Sequence, residues 1–390
     1  MSIALAGKPN SGKSTFFKSA TLADVEIANY PFTTIDANHG ISYVRTRCPC
    51  TGLAVECMNC KDGIRFVPIE IIDVAGLVPD AHKGKGLGNA FLDNLRQAQA
   101  IIHVVDASGG TDIEGNPVRI GEHDPLDDIG FFESELTLWL FSILKRNWSR
   151  LSKRIQAEHL KPAIVIADQL TGAGVTIPQA RAALSRFDEI CAKPPHLWDD
   201  SEMQDFADLL RRESKPMIIA ANKADIAPED NIKRLHNLDY TVVPTSAEAE
   251  LALRMADRSG AISYIPGDSG FEIISNNLSD AQIRALDKIH DMIARMGGTG
   301  IQQCINAAVF DLLDQIVVYP VEDETRFTDK KGNVLPDAFL MRRDSTAHDL
   351  AYQIHTDIGE GFLYAVDARQ RMRMGRVLED GDVVKIVSTR

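Results

Sequence analysis

The feature that most constrains this chain is the run Gly7-Lys8-Pro9-Asn10-Ser11-Gly12-Lys13-Ser14 near its start, which fits the phosphate-loop pattern Gly-x4-Gly-Lys-Ser. A short apolar strand, residues 3–6, leads into it, and residues 13–20 read as a helix. Gly7 and Gly12 let the backbone wrap an anion so that the N–H groups of the loop, from Asn10 and Ser11 round to Thr15, face a phosphate, with Pro9 shaping the wrap without donating to it. Lys13 then reaches the β and γ oxygens, and the Ser14 hydroxyl is a ligand for Mg²⁺. A loop of this kind sits only between a strand and a helix. The first third alternates strands (40–47, 64–73, 100–106) with helices (13–20, 89–99), which implies a mostly parallel sheet with helices on both faces.

Further motifs follow in the order such a loop requires. Asp73-Val74-Ala75-Gly76 ends a strand, where Asp73 is a second Mg²⁺-side carboxylate and the Gly76 N–H can sense a γ-phosphate. Asn222-Lys223-Ala224-Asp225 follows the strand 217–221. The Asp225 carboxylate can accept from N1–H and the N2 amino group of guanine, whereas adenine has no donors there, so the reading is GTP and not ATP. Ser246-Ala247-Glu248 is placed to meet the guanine O6 with backbone N–H. Between the first two motifs, Tyr30-Pro31-Phe32-Thr33-Thr34-Ile35 offers a threonine that can close over Mg²⁺ and the γ-phosphate. Many GTPases orient the attacking water with a glutamine directly after the Asp-x-x-Gly glycine; here Leu77 stands there, so slow unassisted turnover is expected. His82 is a candidate to approach the γ-phosphate, against the plainer reading of a surface histidine.

Around this core the chain divides. Residues 1–126 and 216–270 read as the split nucleotide domain, 127–215 as a helical insertion, 271–314 as a helical connector packing on it, and 315–390 as a small sheet gripping one helix. In the insertion Ile129, Phe132, Leu136, Leu140, Leu144, Trp148, Leu151 and Ile155 recur every three or four residues, one apolar stripe over 127–158. Its outer face carries Lys145, Arg146, Arg150, Lys153 and Arg154. The net charge of −13 argues against non-specific adhesion to anionic membranes or bare nucleic acid, DNA included, while leaving room for a local basic patch, and no apolar run is long enough to span a bilayer. The opening residues read as a strand and not a leader, so a cytoplasmic location is expected.

Four of the six cysteines, Cys48, Cys50, Cys57 and Cys60, cluster between two expected strands. Cys-x-x-Cys at a hairpin tip is half of a zinc ribbon, and the tighter Cys-x-Cys supplies two more thiolates for a tetrahedral Zn²⁺. A redox-labile disulfide or free thiols are the alternatives.

Residues 29–35, Asp73-Val74-Ala75-Gly76-Leu77-Val78 and Gly84-Lys85-Gly86-Leu87-Gly88-Asn89-Ala90-Phe91-Leu92 together resemble the Obg/YchF GTPase family, and the likeness to its archaeal YchF-like branch spans nearly the whole chain. Residues 332–338 and 349–361 resemble a TGS domain, a ubiquitin-like β-grasp module. The resemblance implies a phosphate-loop GTPase with GTP, GDP and Mg²⁺ as ligands, Thr34 as the Mg²⁺-ligating threonine, K⁺ near Asn10 in place of an arginine finger, and ribosomes or translation RNA as partners. Members with a degraded guanine motif use ATP; Asn222, Lys223 and Asp225 are intact here. Arg369, Arg371, Arg373 and Arg376 carry no acid among them and, on an extended strand, the first three would share one face suited to RNA phosphates.

Overall fold

A computed structural model describes residues 1–21, 39–74 and 95–389. They form two compact units: residues 1–42 with 70–304, and residues 43–69 with 305–390.

In the first unit the strands β1 (Ser2–Ala6), the end of β4 (Ile64–Asp73), β5 (Ala100–Asp106), β6 (Met217–Asn222) and β7 (Val242–Pro244) lie parallel in the order β4-β1-β5-β6-β7. Strands β1, β5 and β6 are buried along their whole length, the continuous apolar reading of a parallel sheet covered on both faces. Parallel order brings the C-terminal ends of β1, β4, β5 and β6 to one edge, where open α/β sheets bind ligands. Helix α1 (Lys13–Thr21) follows β1 directly.

The apolar stripe read over 127–158 is not one helix. Helix α3 (Pro125–Lys145) stops at Arg146, and α4 (Trp148–Glu158) starts afresh after Asn147. The cause is tertiary: the Trp148 indole donates to the Pro195 carbonyl at 3.2 Å and stacks on Trp198 with ring centroids 5.3 Å apart, which turns the chain at that point. Helices α5 (Pro162–Gln169), α6 (Ile177–Ile190) and α7 (Asp200–Ser214) complete the insertion around Phe132, Leu140, Phe187 and Phe206. The connector expected to be helical over 271–314 contains the helix Asp280–Met296, which opens on a Ser279–Gln282 capping box, and a π-helix over Ala307–Leu312. Among the described residues, no helix is long and apolar enough to cross a membrane.

The second unit holds a five-stranded mixed sheet in the order β11 (Phe339–Arg342), β10, β14, β12 (Phe362–Asp367), β13 (Met372–Arg373). Its β10 (Gln315–Val321) and β14 (Val383–Ser388) are parallel, the other neighbours antiparallel, and the helix Ala347–Ile354 closes the core over Ile316, Val318, Leu350 and Val384. This is a β-grasp arrangement. Two expectations change here. Residues 43–69, read as part of the nucleotide domain, belong with the C-terminal sheet: Arg65 Nη2 donates to the Pro336 carbonyl at 3.0 Å and Asn59 Nδ2 to the Leu335 carbonyl at 3.2 Å. The arginine stripe is also absent. Asp367 Oδ1 accepts from the backbone N–H groups of Arg369 and Gln370, Arg371 has φ 54°, and only Met372–Arg373 is strand, so these arginines share no face. Arg376 is held by Asp382 and Asp367, and Arg369 donates to the Gly381 carbonyl.

Candidate nucleotide-binding site

The phosphate loop leaves β1 at Ala6 and enters α1 at Lys13, and sterics require its two glycines. A Cβ at Gly7 would come within 2.4 Å of the Val104 carbonyl oxygen, and one at Gly12, where φ is 93°, within 2.1 Å of Asn222 Nδ2. Ser11 is fully buried and its hydroxyl has no hydrogen-bond partner, whereas Ser14 is exposed and Thr15 half-buried at the mouth of the loop. Lys13 ion-pairs with Asp73, which β4 delivers beside Leu5 of β1. The two side chains expected around a phosphate and its metal therefore stand together, and an exposed hydroxyl at Ser14 with a carboxylate at Asp73 suits a hard, oxygen-preferring cation.

Asn222 joins the loops. Its Nδ2 donates to the Ser11 carbonyl at 2.9 Å, and its Oδ1 accepts from the Ala247 N–H at 3.0 Å. Ser246 donates its N–H to the Thr299 carbonyl, and Ala247 and Glu248 open the helix Ala247–Arg258. Lys223, at φ 59°, extends across the phosphate loop, donating to the Asn10 carbonyl at 2.9 Å and to Asp106 at 2.7 Å. Asp225 is exposed two residues on. Thus the phosphate loop, 222–225 and 246–248 stand on one hydrogen-bonded frame. Thr34, Gly76, Leu77 and His82 lie outside the described residues.

Several participants escaped the sequence reading. Lys8 occupies a free position of the loop pattern, yet it is 4% exposed, donating to the Thr111 carbonyl at 2.8 Å and pairing with Asp128 of α3 at 2.8 Å. His123 Nε2 meets the same carboxylate at 2.8 Å. Burial pushes the Asp128 carboxyl above its ordinary range, against the pull of Lys8 and His123. Asp106 is fully buried at the end of β5; burial alone would raise its carboxyl, but hydrogen bonds from Lys223, Ser108 and Thr111 hold it below the usual range. An acid closing a strand beside a phosphate loop was the available signal for Asp106; a lysine in a variable position gave none for Lys8. Asn10, at φ 60°, points its Nδ2 to the Gly115 carbonyl at 3.0 Å.

The four cysteines also come together, in the second unit, with their sulfur atoms within 4.8 Å of one another.

Comparison with known proteins matches three family profiles along the chain. They are "50S ribosome-binding GTPase" over residues 2–127, "Obg-like GTPase YGR210-like, G4 motif-containing domain" over 220–323, and "TGS domain" over 325–388. A GTP-binding protein of Methanocaldococcus jannaschii is 51% identical over 396 residues, covering 99% of this chain and 98% of that protein. A ribosome-binding ATPase, YchF of Haemophilus influenzae, is 42% identical over 151 residues, 38% of this chain and 40% of that one. The crystal structure of a GTP-binding protein from Pyrococcus horikoshii OT3 superposes with a TM-score of 0.79 at 41% identity over the full length of both chains.

Proposed function

Because this chain belongs to the Obg-like, YchF-related family of GTPases, we propose that it binds GTP with Mg²⁺ and hydrolyses it to GDP and phosphate as a slow conformational switch. Its working partner is the ribosome or the RNA of translation, in the cytoplasm. The observation that carries the reading is Asn222, whose amide fastens the phosphate loop to the loop that starts at Ala247, so that Asp225 and the phosphate cradle form one preorganised frame.

Gly7, Pro9, Asn10, Ser11, Gly12 and Thr15 line the phosphates. Lys13 exchanges Asp73 for the β and γ oxygens, and Asp73 turns to the metal side with Ser14 and Thr34. Bound Mg²⁺ supplies neutralisation of charge on the β and γ oxygens. Asp225 reads the guanine donors, Ser246–Glu248 meet O6, Lys223 braces the base loop on the phosphate loop, and Gly76 senses the γ-phosphate. Leu77 leaves the attacking water without an amide to orient it, so turnover is slow alone. K⁺ is the proposed aid, with Asn10 releasing Gly115 to reach it; His82 is a weaker aid. A second reading, ATP in place of GTP, has the H. influenzae protein in its favour, since that relative is called an ATPase.

The deciding experiment is competition binding of GTP, ATP and xanthosine triphosphate to the native chain and to Asp225→Asn. GTP is expected to win on the native chain. Asp225→Asn is expected to swing preference to the xanthine nucleotide, whose C2 oxygen replaces a donor by an acceptor; each unmatched buried polar group in such a site costs about 1–3 kcal/mol. Equal binding of ATP and GTP by the native chain would refute the guanine reading. Turnover measured in K⁺ and in Na⁺, on the native chain and Asn10→Ala, tests the cation. Co-sedimentation with ribosomes tests the partner; Arg146→Ala/Arg150→Ala/Lys153→Ala removes exposed basic residues at and after the break before α4, while Arg371→Ala removes an exposed arginine of the C-terminal unit.

A further inference from the structure

We propose that Cys48, Cys50, Cys57 and Cys60 hold one Zn²⁺ as a tetrahedral tetrathiolate, and that this ion takes the place of an apolar core in folding the 48–63 tip onto the C-terminal sheet.

The sulfur spacing fits a shared ion. Cys48 Sγ lies 3.6 Å from Cys57 Sγ, Cys50 Sγ 3.6 Å from Cys60 Sγ, and Cys57 Sγ 3.4 Å from Cys60 Sγ. Four sulfurs each about 2.3 Å from a central zinc in tetrahedral array stand about 3.8 Å apart. A disulfide requires about 2.05 Å and joins only pairs. Here Cys57 is close to two different cysteines, and all four thiols are free. The ring of contacts belongs to one four-ligand group and not to two bridges.

The backbone is bent to bring them there. Cys50 opens the four-residue helix Cys50–Leu53, which ends on Ala54 at φ 53°. Cys60–Lys61 then pairs with Ile64–Arg65 through a two-residue turn, Asp62 at φ 52° and Gly63 at φ 75°. The Cys48 N–H donates to the Gly63 carbonyl at 2.8 Å, tying the first cysteine pair to the hairpin of the second. This answers the tightness of Cys48-Pro49-Cys50: the helix that starts at Cys50 supplies the turn a longer spacer would.

Little apolar packing holds this tip. From 48 to 63 the buried residues are Cys48, Pro49 and Cys50; Thr51, Gly52, Ala54, Glu56, Asn59, Lys61 and Asp62 are exposed, and Met58 is 97% exposed. A segment this size without a core needs a staple. Zn²⁺ displaces four thiol protons to solvent, leaving a site of charge −2, which a single arginine offsets in part. Arg65 stands opposite Cys60 in the hairpin, is 5% exposed, and has an Nη1 with no hydrogen-bond partner among the described residues. Its Nη2 bonds the Pro336 carbonyl, and its guanidinium lies 5.9 Å over the Tyr319 ring, so the arginine across the ladder from Cys60 is also the tether to the C-terminal sheet. Soft thiolates in tetrahedral array select zinc or iron, and colour separates the two.

The test uses the full chain purified under reducing conditions with zinc supplied. Elemental analysis is expected to find one zinc per chain, and replacement by Co²⁺ to give the strong visible bands of a tetrahedral thiolate site. Cys57→Ser/Cys60→Ser is expected to lose the zinc entirely and to become protease-sensitive within 48–63, with guanine-nucleotide affinity unchanged. Cys57→His, which keeps a ligand, and Cys191→Ser, outside the cluster, are both expected to retain one zinc. A metal-free native chain, an iron-containing one, a disulfide found by mass, or full zinc retention by the double serine variant would each overturn the proposal.

Discussion

Asn222 is 3% exposed and uses both ends of its amide, so its loss strands two buried partners, the Ser11 carbonyl and the Ala247 N–H. Asn222→Ala is therefore expected to lower stability by about 2–6 kcal/mol, from two unsatisfied groups at roughly 1–3 kcal/mol each. Urea denaturation measures it, and GTP affinity should fall with it; a stability loss below 1 kcal/mol would mean water replaces the amide. His103 makes a second prediction. It is buried in β5, stacks on Phe132 with centroids 4.3 Å apart, and burial presses its pKa from 6.5 down to about 3. The unfolded chain takes this proton below 6.5 and the fold refuses it until about 3. Its contribution is thus complete above 6.5 and drains away as pH falls, by up to about 1.4 kcal/mol per pH unit. His103→Leu should flatten the acid limb of a stability–pH curve by that slope; an unchanged limb would show that the ring is hydrated in solution. At this scale the sequence was legible where a motif fixes a residue's place, as with Lys13 beside Asp73. It was silent on Lys8 and His103, because burial decides what they do and burial belongs to the fold.

Helix α3 begins at Pro125 with Asp124 as its cap and lays Asp128 against Lys8, so the insertion is fastened to the phosphate loop by a buried ion pair. Asp128→Asn leaves an ammonium without its counter-charge and is expected to cost about 3–5 kcal/mol; Lys8→Met/Asp128→Leu, which removes both charges, should recover most of that or exceed the parent. Thermal and urea unfolding of the three chains decides it. If the double variant is no better than the single, hydrogen bonds to Thr111 and His123 and not the charge hold the junction. Long elements with regular spacing were readable, β4 to the residue as 64–73. The break at Arg146–Asn147 was not, since Trp148 continues the helical spacing while its indole packs against 195–198. Helix Pro162–Gln169 and helix Glu229–His236 were also missed, each too short to show a repeat. The arginine stripe failed for a local reason, an aspartate turn at 367–370 that alternation of residue types does not register.

At the level of the whole molecule, residues 43–69 form a unit with 305–390 although they interrupt the nucleotide domain in sequence. Removing 305–390 should strip Arg65 and Asn59 of their acceptors and Arg45 of its two bonds to Asn306. The truncated chain is expected to be cut by protease within 43–69, and excising most of that segment as well should restore a resistant core; resistance of the simple truncation would show that the hairpin stands alone. Pairing in space across 261 residues, as between Arg45 and Asn306, leaves no trace in a single sequence. Continuity of the strands has a different consequence, an evolutionary one. Side chains alternate along β4, which runs for 10 residues from the hairpin turn to Asp73. Inserting or deleting one residue within it would carry Asp73 to the opposite face of the sheet. Among descendants of this gene, length should therefore drift at the tip between Cys50 and Cys57, while the span from Ile64 to Asp73 stays fixed in number even where its letters change.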